Sequence, residues 1–324
     1  GCIREDETSS TGSKIVDDRV FNVSVYTTKG DKSLLLAKQP DLKLKQQDVP
    51  AYTSVSITLN DEDTYQTMDG FGAALTESSA YLINHLPDEL RKQVIHDLFS
   101  EDGIRMNFIR LPMGASDFAL SSYTYNDRPE GQTDVDLEYF TIARDEVHVI
   151  PILKEAFQIN DQIKLMGSPW SAPAWMKDNG SLNGGRLKKE YYDTYANYFV
   201  KFIQAYEAHG LPIYAITPQN EPLHESDSYP TMRMDAQEQL DFIKVLGPRF
   251  KEENIETKII AYDHNWDRRT YPYPIFRDTV ATQYVAGTAF HCYAGDVSAQ
   301  SIVHKAFPDK GIWFTECSGG QWAT

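Results

Sequence analysis

Two rhythms of apolar and polar residues divide the chain. Residues 14–60 alternate apolar and polar in steps of two, most clearly at 20–26, 33–36 and 54–59, with Gly, Asp and Pro between the runs. That period sends successive side chains to opposite faces of a strand, so three β-strands are expected there. From residue 64 onward, short apolar runs rich in β-branched residues alternate with longer stretches of helical period. This is the pattern of a parallel α/β fold. It predicts one strand ending at 68–72 and six more at 104–112, 163–169, 213–217, 258–263, 285–293 and 311–315. Helices are predicted between them, including 86–99 with Pro87 near its start, 190–209 and 235–250.

Seven such units imply the α/β class and a (β/α)8 TIM barrel with strand eight missing from this chain. Seven strands cannot close an eight-strand barrel, because the open edges leave backbone groups unpaired. The expected organisation is a flexible N-terminal tether at 1–13, a β segment of a side domain at 14–63, and a barrel at 64–324 truncated after strand seven. The natural protein is expected to continue, supplying strand eight, its helix and partners for the N-terminal strands.

Two glutamates sit where apolar runs stop, Glu221 within Asn220-Glu221-Pro222 and Glu316 before Cys317. Strand ends are where a parallel barrel presents its catalytic groups. Two carboxylates at one mouth suit glycoside hydrolysis: one protonates the leaving oxygen and the other meets the positive charge that develops on the sugar. Glu221, in an enclosed cleft that raises its pKa, is the expected general acid/base. Glu316 is the expected nucleophile, although a structural ion pair with Arg110 is its plainer reading. Strands four and seven lie roughly opposite in the ring, which lets the two side chains converge.

The neighbours extend this site. The Asn220 amide can donate to a sugar hydroxyl beside the reacting carbon. His291 and Tyr293 are two apart and point the same way; His291 is placed to bond Glu221 or a sugar hydroxyl, and Tyr293 to donate to Glu316 and keep it ionised. Arg110 supplies a permanent cation that does the same. The Pro-rich stretch 168–175 reads as a rigid loop presenting Trp170 as a flat apolar sugar platform. Asp69 and Glu77 are expected to bring carboxylates to the mouth of strand one, where they can grip adjacent hydroxyls.

Composition narrows the field without choosing a substrate. At 41% hydrophobic and 24% charged the chain has a globular balance. A net charge of −16 argues against a nucleic-acid partner, which needs a basic face. No apolar run approaches the length of a membrane span. Cys2 near the start, followed by polar residues to 13, resembles a mature bacterial lipoprotein with Gly1 as a remnant. Membrane anchoring through a lipidated Cys2 and an extracytoplasmic location at the cell surface or in the periplasm follow from that. Only Cys2, Cys292 and Cys317 occur, so no disulfide framework is expected. By alternation Cys292 and Cys317 each face outward toward the helices as buried free thiols. No CxxC or HExxH motif offers a zinc site, and carboxylate chemistry needs neither metal nor cofactor.

Six segments, read in order, resemble glycoside hydrolase family 30, the family of lysosomal acid β-glucosidase (glucosylceramidase) and microbial β-1,6-glucanases. They are residues 70–77, 109–118, 168–175, 220–222, 290–293 and 314–317. The resemblance implies a retaining mechanism with Glu221 as acid/base and Glu316 as nucleophile. It places Trp170, Asn220, His291 and Tyr293 around the sugar. Glu77 matches a position where glucosylceramidase has Asp, and Cys292 replaces an expected Trp. The resemblance also implies that the piece absent here is strand eight plus a side β-sandwich shared by N- and C-terminal segments.

The expected function is therefore retaining hydrolysis of β-glucosides, with β-1,6-glucan preferred over a glycolipid. Glucosylceramidase or another β-glycosidase specificity is the alternative. A non-catalytic carbohydrate-binding surface protein is the alternative from another class. Activity should be bell-shaped in pH and peak on the acid side, since one Glu must be protonated and the other ionised.

Overall fold

The computed structural model describes residues 20–44, 55 and 57–320. The chain forms two compact units, residues 1–67 and 68–324. The first contains an antiparallel pair, β1 (Phe21–Thr27) and β2 (Ala37–Leu44), with an irregularity between Val23 and Val25. Two expected strands are not formed. Residues 33–36 make the turn between β1 and β2, where Leu36 takes a positive φ of 46°. Val55 and residues 57–59 carry no strand, while Ser54 and Ser56 lie outside the described residues. A short alternating run makes a strand only when a partner edge accepts its hydrogen bonds. The tether at 1–13, with Cys2, also lies outside the described residues.

The second unit is a parallel seven-strand sheet: β3 (Gly72–Ala74), β4 (Phe108–Met113), β5 (Lys164–Pro169), β6 (Ile213–Ile216), β7 (Lys258–Asn265), β8 (Val285–His291) and β9 (Gly311–Glu316). Each strand pairs with the next in sequence, the order produced by right-handed βαβ winding into a barrel. The surrounding helices are α1 (Glu77–Asn84), α2 (Asp88–Phe99), α3 (Asp145–Ile159), α4 (Tyr192–Ala208), α5 (Ala236–Glu252), α6 (Tyr273–Arg277) and α7 (Ser298–Ala306). Pro87 and Asp235 stand at the N-caps of α2 and α5, one residue before the helices their chemistry favours. Among the described residues no helix is long and apolar enough to cross a membrane.

Two apolar layers hold the sheet. Inside, Met166, Ala215, Ile260 and Ala289 from four successive strands meet Phe108, Tyr214 and Trp313. Outside, α4 packs an aromatic face, with Tyr195, Tyr198, Phe199, Phe202 and Tyr206 all buried. Each such ring contributes about 2 kcal/mol of burial. Gly167 makes the close approach of α4 feasible, because a Cβ there would sit 2.7 Å from the Phe202 ring.

Asp69 lies at the opposite end of the barrel from the mouth. It accepts bonds from Tyr214 Oη (2.6 Å), Lys164 Nζ (3.1 Å) and Trp313 Nε1 (3.1 Å), residues at or near the starts of their strands. The first strand begins at Gly72, so Asp69 precedes it instead of ending it. Trp313 of β9 reaching Asp69 ahead of β3 also shows how far the sheet curls.

Asp145, at the start of α3, is buried and accepts from Tyr123 (2.8 Å), Tyr125 (2.6 Å) and Tyr206 (2.6 Å). Burial outweighs these donors and pushes its pKa up to about 6. A carboxyl raised on folding stabilises most below its unfolded pKa, and that contribution is lost as pH rises through the folded value. Urea unfolding of wild type and Asp145→Asn at several pH values should therefore show the stability difference, wild type minus variant, falling between about pH 4 and 6, whatever the absolute stabilities. An unchanged slope would contradict the assignment.

Candidate active site

The mouth of the barrel is organised around a carboxylate that the alternation of its strand would have turned outward. On β7, Ile260 points into the barrel and Ala261 belongs to the outer core. Strict period two would send Tyr262 in and Asp263 out. Both residues instead have positive φ, 74° and 67°, and the β7–β8 register shifts between Tyr262 and His264. This bulge sends Tyr262 to the outer core and Asp263 to the interior. The displaced Tyr262 N–H donates to Gln239 Oε1 of α5 at 2.9 Å.

Asp263 is fully buried and accepts four bonds. Arg110 Nη2 (2.8 Å) and Thr217 Oγ1 (2.8 Å) reach one oxygen; His291 Nε2 (2.7 Å) and Thr315 Oγ1 (2.6 Å) reach the other. Burial raises its pKa, but Arg110 and His291 more than offset that and hold it far below the usual carboxylate range. Arg110 also donates to Glu316 Oε2 at 2.7 Å and Asn220 Oδ1 at 2.6 Å. It is buried, yet Asp263 and Glu316 keep it charged against that cost.

Both glutamates of interest attach to this hub. Glu316, at the end of β9, accepts from Arg110 on one oxygen and from Tyr293 Oη at 3.0 Å on the other. Ser318 N–H donates to the same Tyr293 oxygen at 3.1 Å. Glu221 follows β6 in a left-handed backbone conformation (φ 44°), with its N–H donated to Asp263 O at 3.0 Å. Its Oε1 lies 3.0 Å from His291 Nδ1. Burial raises the Glu221 pKa, but the His291 hydrogen bond and charge overcome it, and the net shift is downward. This corrects the expectation of a raised value, which considered enclosure without the buried cation. His264 behaves oppositely: burial pushes it down to about 4, leaving it neutral, with Nδ1 unpartnered among the described residues.

Trp170 is nearly buried, with the Arg110 guanidinium 5.0 Å from the ring centroid. Glu77 is held away from the Asp263 hub by a bidentate pair with Arg144 (2.7 and 3.0 Å) and the Leu120 N–H (2.8 Å), and among the described residues it shares no hydrogen-bond partner with Glu221 or Glu316. Residues that the sequence did not single out also join the site, among them Asp263, Asp117, His264, Thr217 and Thr315. The pKa of Asp117 is raised by desolvation and by the charges of Glu316 and Glu221. The signal for Asp117 was its place seven residues after Arg110, in the loop leaving the same strand. Asp263 closes the predicted strand 258–263, but strict alternation turns it outward, and no glycine marks the bulge that brings it in.

Cys292 and Cys317 are joined in a disulfide, which overturns the reading of two free thiols. His291 and Glu316 are partners in the β8–β9 register. The residues that follow them on adjacent parallel strands are therefore side by side, a relation invisible when each strand is read alone. Among the described residues, one group of potential metal ligands occurs, Glu221, His291 and Glu316, with ligand atoms within 4.8 Å of one another. Both His291 nitrogens already face carboxylates and both Glu316 oxygens accept protein hydrogens.

Residues 68–324 match the model of the glycosyl hydrolase family 30 TIM-barrel domain. The chain belongs to glycosyl hydrolase family 30. Its relatives include the endo-1,6-beta-D-glucanase of Neurospora crassa, 37% identical over 260 residues, covering 78% of this chain and 54% of that protein. The lysosomal acid glucosylceramidase of Mus musculus is 32% identical over 287 residues, covering 83% of this chain and 55% of that protein. The solved structure of an endo-beta1,6-glucanase superimposes with a TM-score of 0.82 at 38% identity, covering 93% of this chain and 66% of that one. This family 30 chain thus spans little more than half the length of these curated relatives.

The disulfide fastens the two strands that carry His291 and Glu316 at the residues immediately beyond them. Closing a loop of this size contributes about 3 kcal/mol. Thiol titration of the denatured, unreduced protein should find Cys292 and Cys317 unreactive. The double variant Cys292→Ser/Cys317→Ser should lose stability of that order. Two titratable thiols at these positions in oxidised protein would contradict the pairing.

Proposed function

We propose that this chain is the catalytic barrel of a retaining β-glycoside hydrolase that cleaves β-1,6-glucan by double displacement. The observation that carries the reading is that one carboxylate oxygen of Glu221 and one of Glu316 lie within 4.8 Å of each other, too close for an inverting enzyme's water to be held between them. Retaining enzymes hold their two carboxyl groups about 5–5.5 Å apart, whereas inverting enzymes leave about 6.5–9.5 Å for a water.

The environments of the two groups divide the roles. Arg110 and Tyr293 direct hydrogens at both oxygens of Glu316, which fixes its orientation as the nucleophile. Among the described residues Glu221 pairs with no Arg or Lys; it touches an imidazole that can exchange a proton with it. Glu221 is therefore the acid/base. Asn220 has its Oδ1 taken by Arg110, which turns the amide hydrogens to a ligand. Asp117, whose charge interacts with both glutamates, and the partly exposed Tyr293 are placed to complete the sugar contacts, with no metal or cofactor in the reaction. The substrate follows the glucanase relatives, which include the higher-identity matches. The disulfide suits an oxidising, extracytoplasmic compartment.

The test uses the full-length protein with soluble β-1,6-glucan and, separately, glucosylceramide. Proton NMR should show the β-anomer as first product from the glucan. Glu221→Gln should lower kcat/KM by about 10²–10⁴, and Glu316→Gln should reduce turnover to background. A 2-deoxy-2-fluoro-β-glucosyl fluoride should label Glu316. First release of the α-anomer would rule out retention, and cleavage of glucosylceramide alone would reassign the substrate.

A further inference from the structure

We propose that His291 stores the proton that Glu221 delivers, so that the general acid is the His291–Glu221 pair and Asp263 is the positioning residue that holds it in that state. The proposal rests on the double-displacement reading above.

The geometry leaves few alternatives. His291 is fully buried, with Nε2 2.7 Å from Asp263 Oδ1 and Nδ1 3.0 Å from Glu221 Oε1. An imidazole between two carboxylates satisfies both contacts only if each gap contains a hydrogen. Asp263 does not supply one, since Arg110, Thr217 and Thr315 also donate to it. Nε2 therefore carries its hydrogen permanently. The second hydrogen belongs to the gap between Nδ1 and Oε1. The pair holds one proton beyond the Nε2–H, either as imidazolium and carboxylate or as imidazole and carboxylic acid.

The groups around the ring favour the first form at rest. Asp263 and neutral His264 face it from β7, Glu221 from beyond β6, Glu316 from β9, and the Tyr293 ring edge-on at 6.3 Å. Arg110 of β4 acts through Asp263. Burial disfavours the imidazolium, but Asp263 and Glu221 raise the His291 pKa to about 9.

The steps balance. As the glycosidic C–O bond breaks, the Nδ1 proton passes to the Glu221 carboxylate and on to the leaving oxygen, which keeps the bonding electron pair. Glu316 bonds to the anomeric carbon, leaving Glu221 ionised and His291 neutral. In the second half a water gives a proton to Glu221, which returns it to Nδ1. The water oxygen bonds to carbon, and Glu316 leaves as carboxylate. The resting imidazolium is restored.

The consequence is that the basic limb of activity is set by the pair and not by a lone carboxyl. In full-length enzyme, the basic limb of kcat/KM should lie near the His291 value of about 9. His291→Gln keeps a side chain able to bond Glu221 but cannot hold the proton. Its basic limb should move acidward by roughly 2 pH units or more, besides any loss of rate. A lower rate with the limb unmoved would mean that His291 only positions Glu221 and would overturn the proposal. A measurement that needs no variant is ¹⁵N NMR of histidine-labelled wild type. Both His291 nitrogens should be protonated at neutral pH, and a neutral imidazole there would equally overturn it. Labelling of Glu316 in wild type separates the two levels: label with an unmoved limb removes only the proton store, whereas no label on Glu316 removes double displacement and the proposal with it.

Discussion

The site depends on one buried triad of charge: Asp263 between Arg110 and His291. Each of these groups is nearly or fully excluded from water, and an isolated charge there would cost several kcal/mol. Together they offset one another. Asp263 receives a hydrogen on each side from the two cations, and two threonine hydroxyls fill its remaining positions. Removing one member would strand the others, at about 3–5 kcal/mol. The network therefore behaves as a unit, and Glu221 and Glu316 are attached at its two ends, through His291 and through Arg110.

This arrangement explains how two nearby carboxylates acquire different chemistry. Glu316 faces a guanidinium that never loses its proton, together with a tyrosine hydroxyl. Glu221 faces an imidazole, whose proton can move. The same buried anion supports both cations, so the difference arises from which cation each glutamate meets. The backbone bears strain to achieve it. Tyr262, Asp263 and Glu221 all occupy left-handed conformations, each costing of order 1–3 kcal/mol for a non-glycine residue. The bulge aims Asp263 inward, and its carbonyl holds the Glu221 N–H.

The two carboxylates and most of their neighbours were legible because each stands at the end of an apolar run, and a parallel barrel collects such ends at one mouth. The parts that were not legible share a cause. Asp263 depended on a parity change that no glycine marks. The disulfide depended on the register between two strands 25 residues apart. Asp69 depended on where the first strand starts, a matter of a few residues. Glu77 meets Arg144 across more than sixty residues that include two helices and a strand. The expected raised pKa of Glu221 treated burial as if no buried cation stood beside it.

The sequence by itself determined the α/β class, the seven strands and their order, and the residue types able to do acid–base and nucleophilic chemistry. Periodicity and strand ends are local properties, and parallel winding leaves little freedom in how consecutive units follow one another. Only the tertiary structure decided which carboxylate faces which cation, which cysteines meet, and which anion is buried at the centre. Those outcomes are set by register and bulges, where a shift of one residue turns a side chain to the other face of the sheet.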